Sequence, residues 1–276
     1  MTETDISFFK MSGSGNDFII VDNRDRMVGD EGLGPWIASV CRRKHSVGAD
    51  GLILIERADK ADFRWRYFNA DGGEVEMCGN GGRCAARFAL LKGIAGPRLR
   101  FETMAGVIQA EVTGERVKLE MPAPSAPQLD YRLEVEGETL TVSSITVGVP
   151  HVVTWVEDLE AAPVVRLGRA IRYHGHYAPA GTNANFVQPL EDGTLAIRTY
   201  ERGVEDETLA CGTGSVASAL IAASKGLVTP PVVLHTRGGE RLRIHFKGEG
   251  SGGSPVFLEG DAKVIYEGRL WKEAVS

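Results

Sequence analysis

An internal repeat is the feature that most constrains how this 276-residue chain can fold. When the segment Cys78–Gly106 is shifted by 133 positions without gaps, it lies on Cys211–Gly239, and ten of the 29 aligned pairs are identical. Each copy opens with Cys-Gly-x-Gly, continues with small and apolar residues, and then reaches Lys-Gly. A repeated segment of this kind indicates a repeated supersecondary unit. The chain is therefore predicted to contain two similar halves.

The repeated segment has the signals of a helix with a defined start and end. A lysine followed by Gly93 or Gly226, with Pro97 or Pro230 four residues later, is typical of a helix C-terminus. The spacing from cysteine to glycine predicts a helix of about four turns. Its alanines allow other backbone to approach closely, which suits a helix with a sheet wrapped around it.

Strand patterns flank both predicted helices. Alternating apolar and polar residues, as in Phe63–Tyr67, indicate half-buried strands. Further predicted strands are Leu99–Thr103, Val107–Val112, Arg116–Met121, Val232–His235, Arg241–Phe246, Val256–Leu258 and Ala262–Trp271, and a hairpin loop is predicted at Gly248–Pro255.

The predicted fold class is α+β, with two pseudo-symmetric domains that each curl a mixed or antiparallel β-sheet around a central helix. The proline-rich segment Met121–Pro127 is the expected crossing between them. We predict one domain at residues 1–121, completed by residues 265–276, and a second at residues 122–264.

Composition excludes several classes of function. The net charge is −6 and there is no Lys/Arg run longer than three residues, which argues against nucleic-acid and anionic-membrane partners. No segment approaches the roughly 18 apolar residues of a membrane span. The first seven residues lack the order of a signal peptide, so the expected location is the cytoplasm.

The four cysteines do not form a metal or disulfide pattern. Cys41, Cys78, Cys84 and Cys211 include no C-x-x-C pair. No cluster completes a metal site around His174 and His176, so we expect no metal. Cys41 and Cys84 are interpreted as core residues, because neither opens a repeated helix.

Cys78 and Cys211 are the candidate catalytic residues. A cysteine at a helix N-terminus lies at the positive end of the helix dipole, which favours the thiolate. Neighbouring glycines expose backbone N–H groups that can bind an anion. Two such thiols on opposite sides of one ligand suit removal of an amino-acid α-proton from one face and its replacement from the other. The pattern therefore indicates an amino-acid racemase or epimerase that needs no cofactor.

The chain closely resembles the diaminopimelate epimerase family, which converts L,L-diaminopimelate to the meso form in the biosynthesis of lysine and peptidoglycan precursors. The motifs that carry the resemblance are Lys10–Phe18, Val47–Leu54, Phe68–Cys84, Pro150-His151, Asn183–Phe186 and Tyr200–Gly214.

The resemblance implies a role for each matching position. Cys78 and Cys211 correspond to the acid/base pair, and His151 and Glu201 to supporting residues close to the cysteines. The implied substrate-binding residues are Asn16, Asn69, Gly79, Asn80, Asn183, Glu201, Arg202, Gly212 and Thr213. The implied partner is a small amino acid, with no nucleic acid or membrane; a monomer and a homodimer both remain open.

Two positions depart from the commonest family pattern. Val149 stands before Pro150-His151 where asparagine is expected, and Gly51 stands where some members have glutamine.

Other interpretations of these residues stay open at this point. Asn16 could be a turn residue, His151 a structural histidine, and Glu201 with Arg202 a surface ion pair. The alternative functions are a histidine or proline-type racemase, a non-catalytic amino-acid-binding protein, and an isomerase of the phenazine-biosynthesis type.

Overall fold

The structure is a computed structural model that describes residues 6–248 and 254–275. By backbone contacts the chain divides into two compact units, one formed by Met1–Leu119 with Gly260–Ser276 and the other by Glu120–Glu259. The loop predicted at Gly248–Pro255 lies mostly outside the described residues.

The first unit combines strands from both ends of the chain with two helices. The strands are β1 (Ile6–Gly13), β2 (Asn16–Asp22), β3 (Gly51–Glu56), β4 (Phe63–Asn69), β5 (Glu74–Val75), β6 (Arg98–Thr103), β7 (Gly106–Thr113), β8 (Arg116–Glu120) and β18 (Lys263–Leu270), and the helices are α1 (Leu33–Cys41) and α2 (Gly79–Leu91). A 3₁₀ helix follows at Lys272–Val275.

The second unit has the same kinds of element, except that β9 (Gln128–Val135), the counterpart of β18, precedes its other strands. These other strands are β10 (Glu138–Val147), β11 (Val149–Trp155), β12 (Asn183–Pro189), β13 (Leu195–Glu201), β14 (Asp206–Thr208), β15 (Val232–Thr236), β16 (Arg241–His245) and β17 (Phe257–Asp261), and the helices are α3 (Val164–Arg172) and α4 (Gly212–Ser224). A 3₁₀ helix lies at Gly175–Tyr177.

Strand pairing shows that the repeat extends beyond the segments with visible identity. In the first unit β1 is antiparallel to β18 and β2, β2 is parallel to β3, β3 is antiparallel to β4, and β4 is parallel to β6. The pairings of β10 with β9 and β11, β11 with β12, β12 with β13, and β13 with β15 repeat this pattern. Strand β2 begins at residue 16 and β11 at residue 149, again an offset of 133. The predicted pseudo-symmetric α+β fold is confirmed.

Each sheet has one helix on either face. In β3, Leu52 and Leu54 belong to the apolar cluster that includes α1, whereas Ile53 contacts the first turn of α2 at Gly81. In the second unit, Ala184 and Phe186 pack with α3. Because successive side chains of a strand point to opposite faces, the residues between them face the other helix.

The two predicted central helices are confirmed, whereas α1 and α3 were not predicted. Helices α2 and α4 begin directly after Cys78 and Cys211, and Lys92 and Lys225 are their C-cap residues. Helices α1 and α3 have only nine residues each and no side-chain cap. The Gly-Pro pair at the start of α1 is typical of a turn as well as of a first helical turn.

No helix in residues 6–248 or 254–275 is long and apolar enough to cross a membrane.

An ion-pair cluster at β1 and β2 generates a prediction about acid stability. Asp17 contacts Lys10 at 2.7 Å and Arg43 at 2.5 Å. Burial alone would raise the pKa of the Asp17 carboxyl, but hydrogen bonds from Arg43 and Lys10 outweigh it and lower the pKa to about 2. A pKa below that of the unfolded chain stabilises the fold above pH ~4, and this stabilisation is lost as the pH falls from about 4 to about 2.

We therefore expect Asp17→Asn to reduce the free energy of unfolding by about 2 kcal/mol at pH 7 and by much less near pH 2. Urea unfolding at both pH values measures the difference. The exposed Asp59→Asn variant is the control and should match the wild type. An Asp17→Asn deficit that is equally large at low pH would contradict the assignment.

The packing of α3 generates a second prediction. A Cβ on Gly168 would lie 2.4 Å from Cβ of Tyr200. We expect Gly168→Ala to destabilise the protein by about 1–3 kcal/mol through overpacking, although Gly→Ala in an open helix usually stabilises by up to about 1 kcal/mol. Gly96→Ala is the control, because its Cβ would meet no atom within 4 Å. Calorimetric melting compares them, and an unchanged or higher Tm for Gly168→Ala would refute the packing argument.

Candidate active site

The two candidate cysteines occupy the same position in their units. Each is the N-cap residue of a thirteen-residue helix, and the backbone of the cysteine itself is extended. The Cys78 sulfur accepts the Gly81 N–H at 3.5 Å, and the Cys211 sulfur accepts the Gly214 N–H at 3.4 Å. Backbone N–H groups and the helix dipole both favour negative charge at this position. The predicted placement of both thiols at helix starts is therefore confirmed.

Asn16 lies beside the Cys78 thiol. Its side-chain nitrogen donates to an Asp50 oxygen at 2.7 Å, and that carboxylate is also held by Arg43 at 2.9 Å. The amide orientation is thus fixed, which leaves the Asn16 oxygen 3.7 Å from the Cys78 sulfur. Asn16 can accept a hydrogen bond from the thiol, so it is more than the turn residue that its sequence context allowed.

Asn69 is connected to the surroundings of Cys78 through Tyr67, which the sequence analysis assigned only to a strand. The Tyr67 hydroxyl donates to the Asn69 side-chain oxygen at 2.9 Å. Burial raises the pKa of Tyr67, and the charge of the nearby Cys78 raises it further. A Cβ on Gly51 would lie 2.6 Å from the Tyr67 ring, so glycine at that position makes room for the tyrosine.

Gly79 and Asn80 form the first turn of α2, where their N–H groups lie at the helix start. Arg83, one turn further on, is fully buried and donates to the Asn80 side-chain oxygen at 3.1 Å and to the Ser14 hydroxyl at 2.6 Å. Arg83 therefore holds Asn80, and the sequence analysis missed it. Its position inside the Cys-Gly-x-Gly helix was an available signal, because a cation inside a predicted buried helix needs partners.

Gly212 and Thr213, which follow Cys211, form the first turn of α4. The Thr213 hydroxyl lies 3.6 Å from the Cys211 sulfur. A Cβ on Gly214 would lie 2.3 Å from the Asn185 side-chain oxygen, so only glycine fits there. Asn185 thus contacts the helix start, and it was another residue that the sequence analysis did not single out.

His151 lies on the same face of the sheet as Asn185. It is fully buried, and its Nδ1 is 3.3 Å from the Asn185 side-chain nitrogen. Burial lowers the pKa of His151 to about 3, with a further contribution from the positive charge of Arg202. His151 is therefore a neutral imidazole near neutral pH.

Glu201 and Arg202 are adjacent in sequence but do not form an ion pair with each other. Glu201 accepts a hydrogen bond from the Thr208 hydroxyl at 2.9 Å, and burial raises its pKa while this bond lowers it. Arg202 donates to the Ala180 carbonyl oxygen at 3.1 Å, and no carboxylate of residues 6–248 or 254–275 pairs with it. The surface-ion-pair interpretation is therefore wrong, and Arg202 can receive a ligand carboxylate.

Asn183 has both polar atoms engaged with backbone. Its nitrogen donates to the Pro150 carbonyl oxygen at 3.2 Å, and its oxygen accepts the Arg202 N–H at 2.8 Å. This side chain therefore fixes the backbone on either side of it, and its predicted contact with substrate stays a prediction.

Within the described part of the chain, no group of three or more His, Cys, Asp or Glu side chains could hold a metal ion. Cys41 and Cys84 are buried, as expected for core residues.

Comparison with solved structures identifies the fold. The chain is similar to a Bacillus anthracis protein of the phenazine biosynthesis PhzF family, with a TM-score of 0.74, 18% identity, and coverage of 97% of this chain and 99% of that one. It is also similar to a hydroxyproline epimerase from Agrobacterium vitis with bound trans-4-hydroxy-L-proline, with a TM-score of 0.70, 15% identity, and coverage of 99% and 94%. The chain therefore shares the fold of these two proteins.

Sequence comparison then identifies the family. A family model described as "Diaminopimelate epimerase" matches residues 8–126 and 143–265. A protein named diaminopimelate epimerase from Aquifex aeolicus (strain VF5) is 48% identical over 98% of this chain and 99% of its own length. One of the same name from Archaeoglobus fulgidus is 41% identical over 96% of each chain. The chain belongs to the diaminopimelate epimerase family, which confirms the resemblance seen in its motifs.

Cysteine reactivity gives a test of the site. Burial raises the pKa of Cys41 to about 12, whereas Cys78 is only half-buried. At pH 8 about one Cys41 in 10⁴ is then a thiolate, and the thiolate is the reactive form. We expect iodoacetamide to modify Cys78 in the folded protein and to leave Cys41 intact, as measured by peptide mass spectrometry. Denatured protein is the control, in which both should react. Equal rates in the folded protein would contradict this prediction.

Proposed function

We propose that this chain is a diaminopimelate epimerase that inverts one stereocentre of L,L-2,6-diaminopimelate to give the meso form, with Cys78 and Cys211 as the acid/base pair. The observation that carries the proposal is that both sulfurs are helix N-caps that accept the same type of backbone hydrogen bond. The names of the curated relatives support the choice of substrate.

In the proposed reaction one sulfur begins as a thiolate and the other as a thiol. The thiolate takes the α-proton from one face of the carbon, and the thiol gives its proton to the opposite face. Each sulfur therefore ends in the protonation state of the other, and the reverse reaction exchanges their roles. The helix starts at Gly79-Asn80 and Gly212-Thr213 would hold the reacting carboxylate as negative charge develops on it.

The distal end of the substrate is itself an amino acid, which requires a cation and polar acceptors. Arg202 has no carboxylate partner among the described residues and suits the distal carboxylate. The side chains of Asn16 and Asn69, together with Asn183, would complete this end, and Glu201 and His151 would support the reacting centre.

The wider assignments follow from this chemistry. Two sulfurs supply both acid and base, so the proposed mechanism uses no cofactor. The ligand would be a small amino acid rather than a nucleic acid or a membrane. The enzyme would act in the cytoplasm in lysine and peptidoglycan-precursor biosynthesis, as a monomer or homodimer.

The decisive test is proton NMR of L,L-diaminopimelate with the reduced protein in D₂O, beside Cys78→Ala and Cys211→Ala. We expect the meso form to appear with deuterium at the inverted carbon, because the incoming proton comes from a thiol that exchanges with solvent. Each alanine variant should abolish inversion, because each removes the acid or the base. Cys41→Ser is the matched control and should retain activity.

A reduced wild-type protein that neither inverts nor exchanges this proton would defeat the substrate assignment. Proline and histidine would then be tested in the same assay, because Val149 replaces the asparagine expected at the start of β11. Full inversion by either cysteine variant would defeat the two-thiol mechanism and leave the family assignment unchanged.

A further inference from the structure

Asn185 is a fully buried amide that connects three strands to the start of α4. It lies in β12 and contacts β11 at His151 and Val152, β13 at Thr199, and the helix at Gly214. A buried amide that satisfies several partners fixes their relative orientation. The sequence motif that contains it was noted, but no role was assigned to it.

The orientation of the Asn185 amide is determined by its partners. Its nitrogen lies 2.9 Å from the Val152 carbonyl oxygen, and a carbonyl oxygen can only accept a hydrogen bond. Its oxygen lies 3.0 Å from the Thr199 hydroxyl, which donates to it. Both contacts require the same orientation, with the N–H₂ group directed towards β11.

This orientation determines where the proton lies on the His151 ring. The second N–H of Asn185 is directed at His151 Nδ1, 3.3 Å away. A nitrogen that faces a donor must present its lone pair, so in the neutral ring the proton is on Nε2. Among residues 6–248 and 254–275, Nε2 is buried and has no hydrogen-bond partner. A buried N–H donor without a partner is available to a ligand.

We propose that Asn185 is a positioning residue that holds His151 as its neutral Nε2–H tautomer, so that His151 acts as a hydrogen-bond donor to negative charge and not as a proton acceptor. The donor role rests on the proposed function, whereas the tautomer does not. The low pKa that burial gives His151 agrees with a neutral ring. A neutral donor stabilises anionic oxygen or sulfur without taking a proton, which leaves proton transfer to the two cysteines.

The same amide also contacts the helix that carries Cys211. A Cβ built on Gly214 would lie 2.3 Å from the Asn185 oxygen and 3.2 Å from the Cys211 sulfur. Asn185 therefore contacts the backbone that donates to this sulfur. One side chain thus sets the position of the donor His151 relative to the first turn of α4.

The tautomer can be measured directly on the intact protein. Long-range ¹H–¹⁵N correlation spectra of uniformly ¹⁵N-labelled protein distinguish Nε2–H, Nδ1–H and imidazolium, and the His151 signals are those that disappear in His151→Gln. We expect the Nε2–H pattern near neutral pH. An Nδ1–H or imidazolium pattern in the wild type would overturn the proposal without any reference to activity.

Substitution of Asn185 tests the cause of the tautomer. In Asn185→Asp the donor becomes an acceptor, so His151 should carry a proton on Nδ1. Gln188→Glu is the matched control, because it makes the same change of group in the same strand, where the amide contacts the Glu157 carbonyl oxygen. It should leave the Nε2–H pattern intact. An unchanged pattern in a folded Asn185→Asp protein would overturn the positioning role. If that variant does not fold, as judged by circular dichroism, Asn185→Ser decides, because it removes the donor with a smaller side chain.

The donor role is tested by kinetics. His151→Gln keeps a neutral N–H donor that cannot act as a base, whereas His151→Leu removes the donor. We expect His151→Leu to lower kcat by about 10²–10³-fold, the usual loss for one preorganised donor, and His151→Gln to restore most of it with little change in KM. Equal losses in both variants would overturn the donor role. An inactive wild type would overturn the donor role together with the proposed function, and the NMR spectra would still decide the tautomer.

Discussion

The central physical constraint in each unit is a helix whose N-cap is a sulfur atom. Cysteine is a weaker cap than serine, aspartate or asparagine, because sulfur accepts hydrogen bonds poorly when it is neutral. The contacts from Gly81 and Gly214 are 3.5 and 3.4 Å long, and neither first turn contains an acidic residue. The positive ends of both helices are therefore not neutralised by local carboxylates. The sequence retains a position suited to negatively charged sulfur where a better cap would stabilise the helix.

The rest of each unit serves to enclose that helix. Strand alternation places Asn16, Tyr67 and Asn69 on the α2 side of one sheet, opposite the apolar cluster around α1. It places His151, Asn185, Thr199 and Glu201 on the α4 side of the other, opposite the cluster that contains Phe186 and Tyr200. The alternation of side chains along each strand thus gives an apolar face towards α1 or α3 and polar side chains on the face towards α2 or α4.

The two units share a topology but differ in the chemistry around sulfur. Arg83 in α2 corresponds to Val216 in α4, so only the first helix has a buried cation at this position. The second unit instead places His151 and Glu201 on the sheet face that faces α4. An exact repeat would give two identical thiols, whereas these differences make the two sulfurs chemically distinct.

The two central helices and the strands β4, β6–β8 and β15–β18 could be predicted from the sequence because their signals are local, whereas β1–β3, β5, β9–β14, α1 and α3 were not predicted. The Lys-Gly helix ends and the alternation of Phe63, Trp65 and Tyr67 require no knowledge of the tertiary structure. Contacts between strands could not be predicted in this way. The hydrogen bond from Thr199 to Asn185 depends on the register of β12 with β13, which no short motif encodes. The spacing of Asn183 and Asn185, two residues apart on one strand, was the available hint that both face the same side.

The Tyr67–Gly51 contact also illustrates a limit of motif comparison. Gly51 was noted as a lost side chain, whereas the structure shows a large neighbouring side chain in the space that it leaves, with a hydroxyl 2.9 Å from Asn69. A position that lacks a side chain can thus make room for a neighbour that supplies a polar group.

The pairing of β18 with β1 affects how the chain assembles during synthesis. Residues 263–270 emerge from the ribosome after the whole of the second unit, yet they form one edge partner of β1 in the first unit. Until then β1 has a free edge, and an unpaired edge strand can associate with strands of other chains. The second unit, whose residues are contiguous, has all its strands available earlier. The unit that is translated first is thus the one that is completed last.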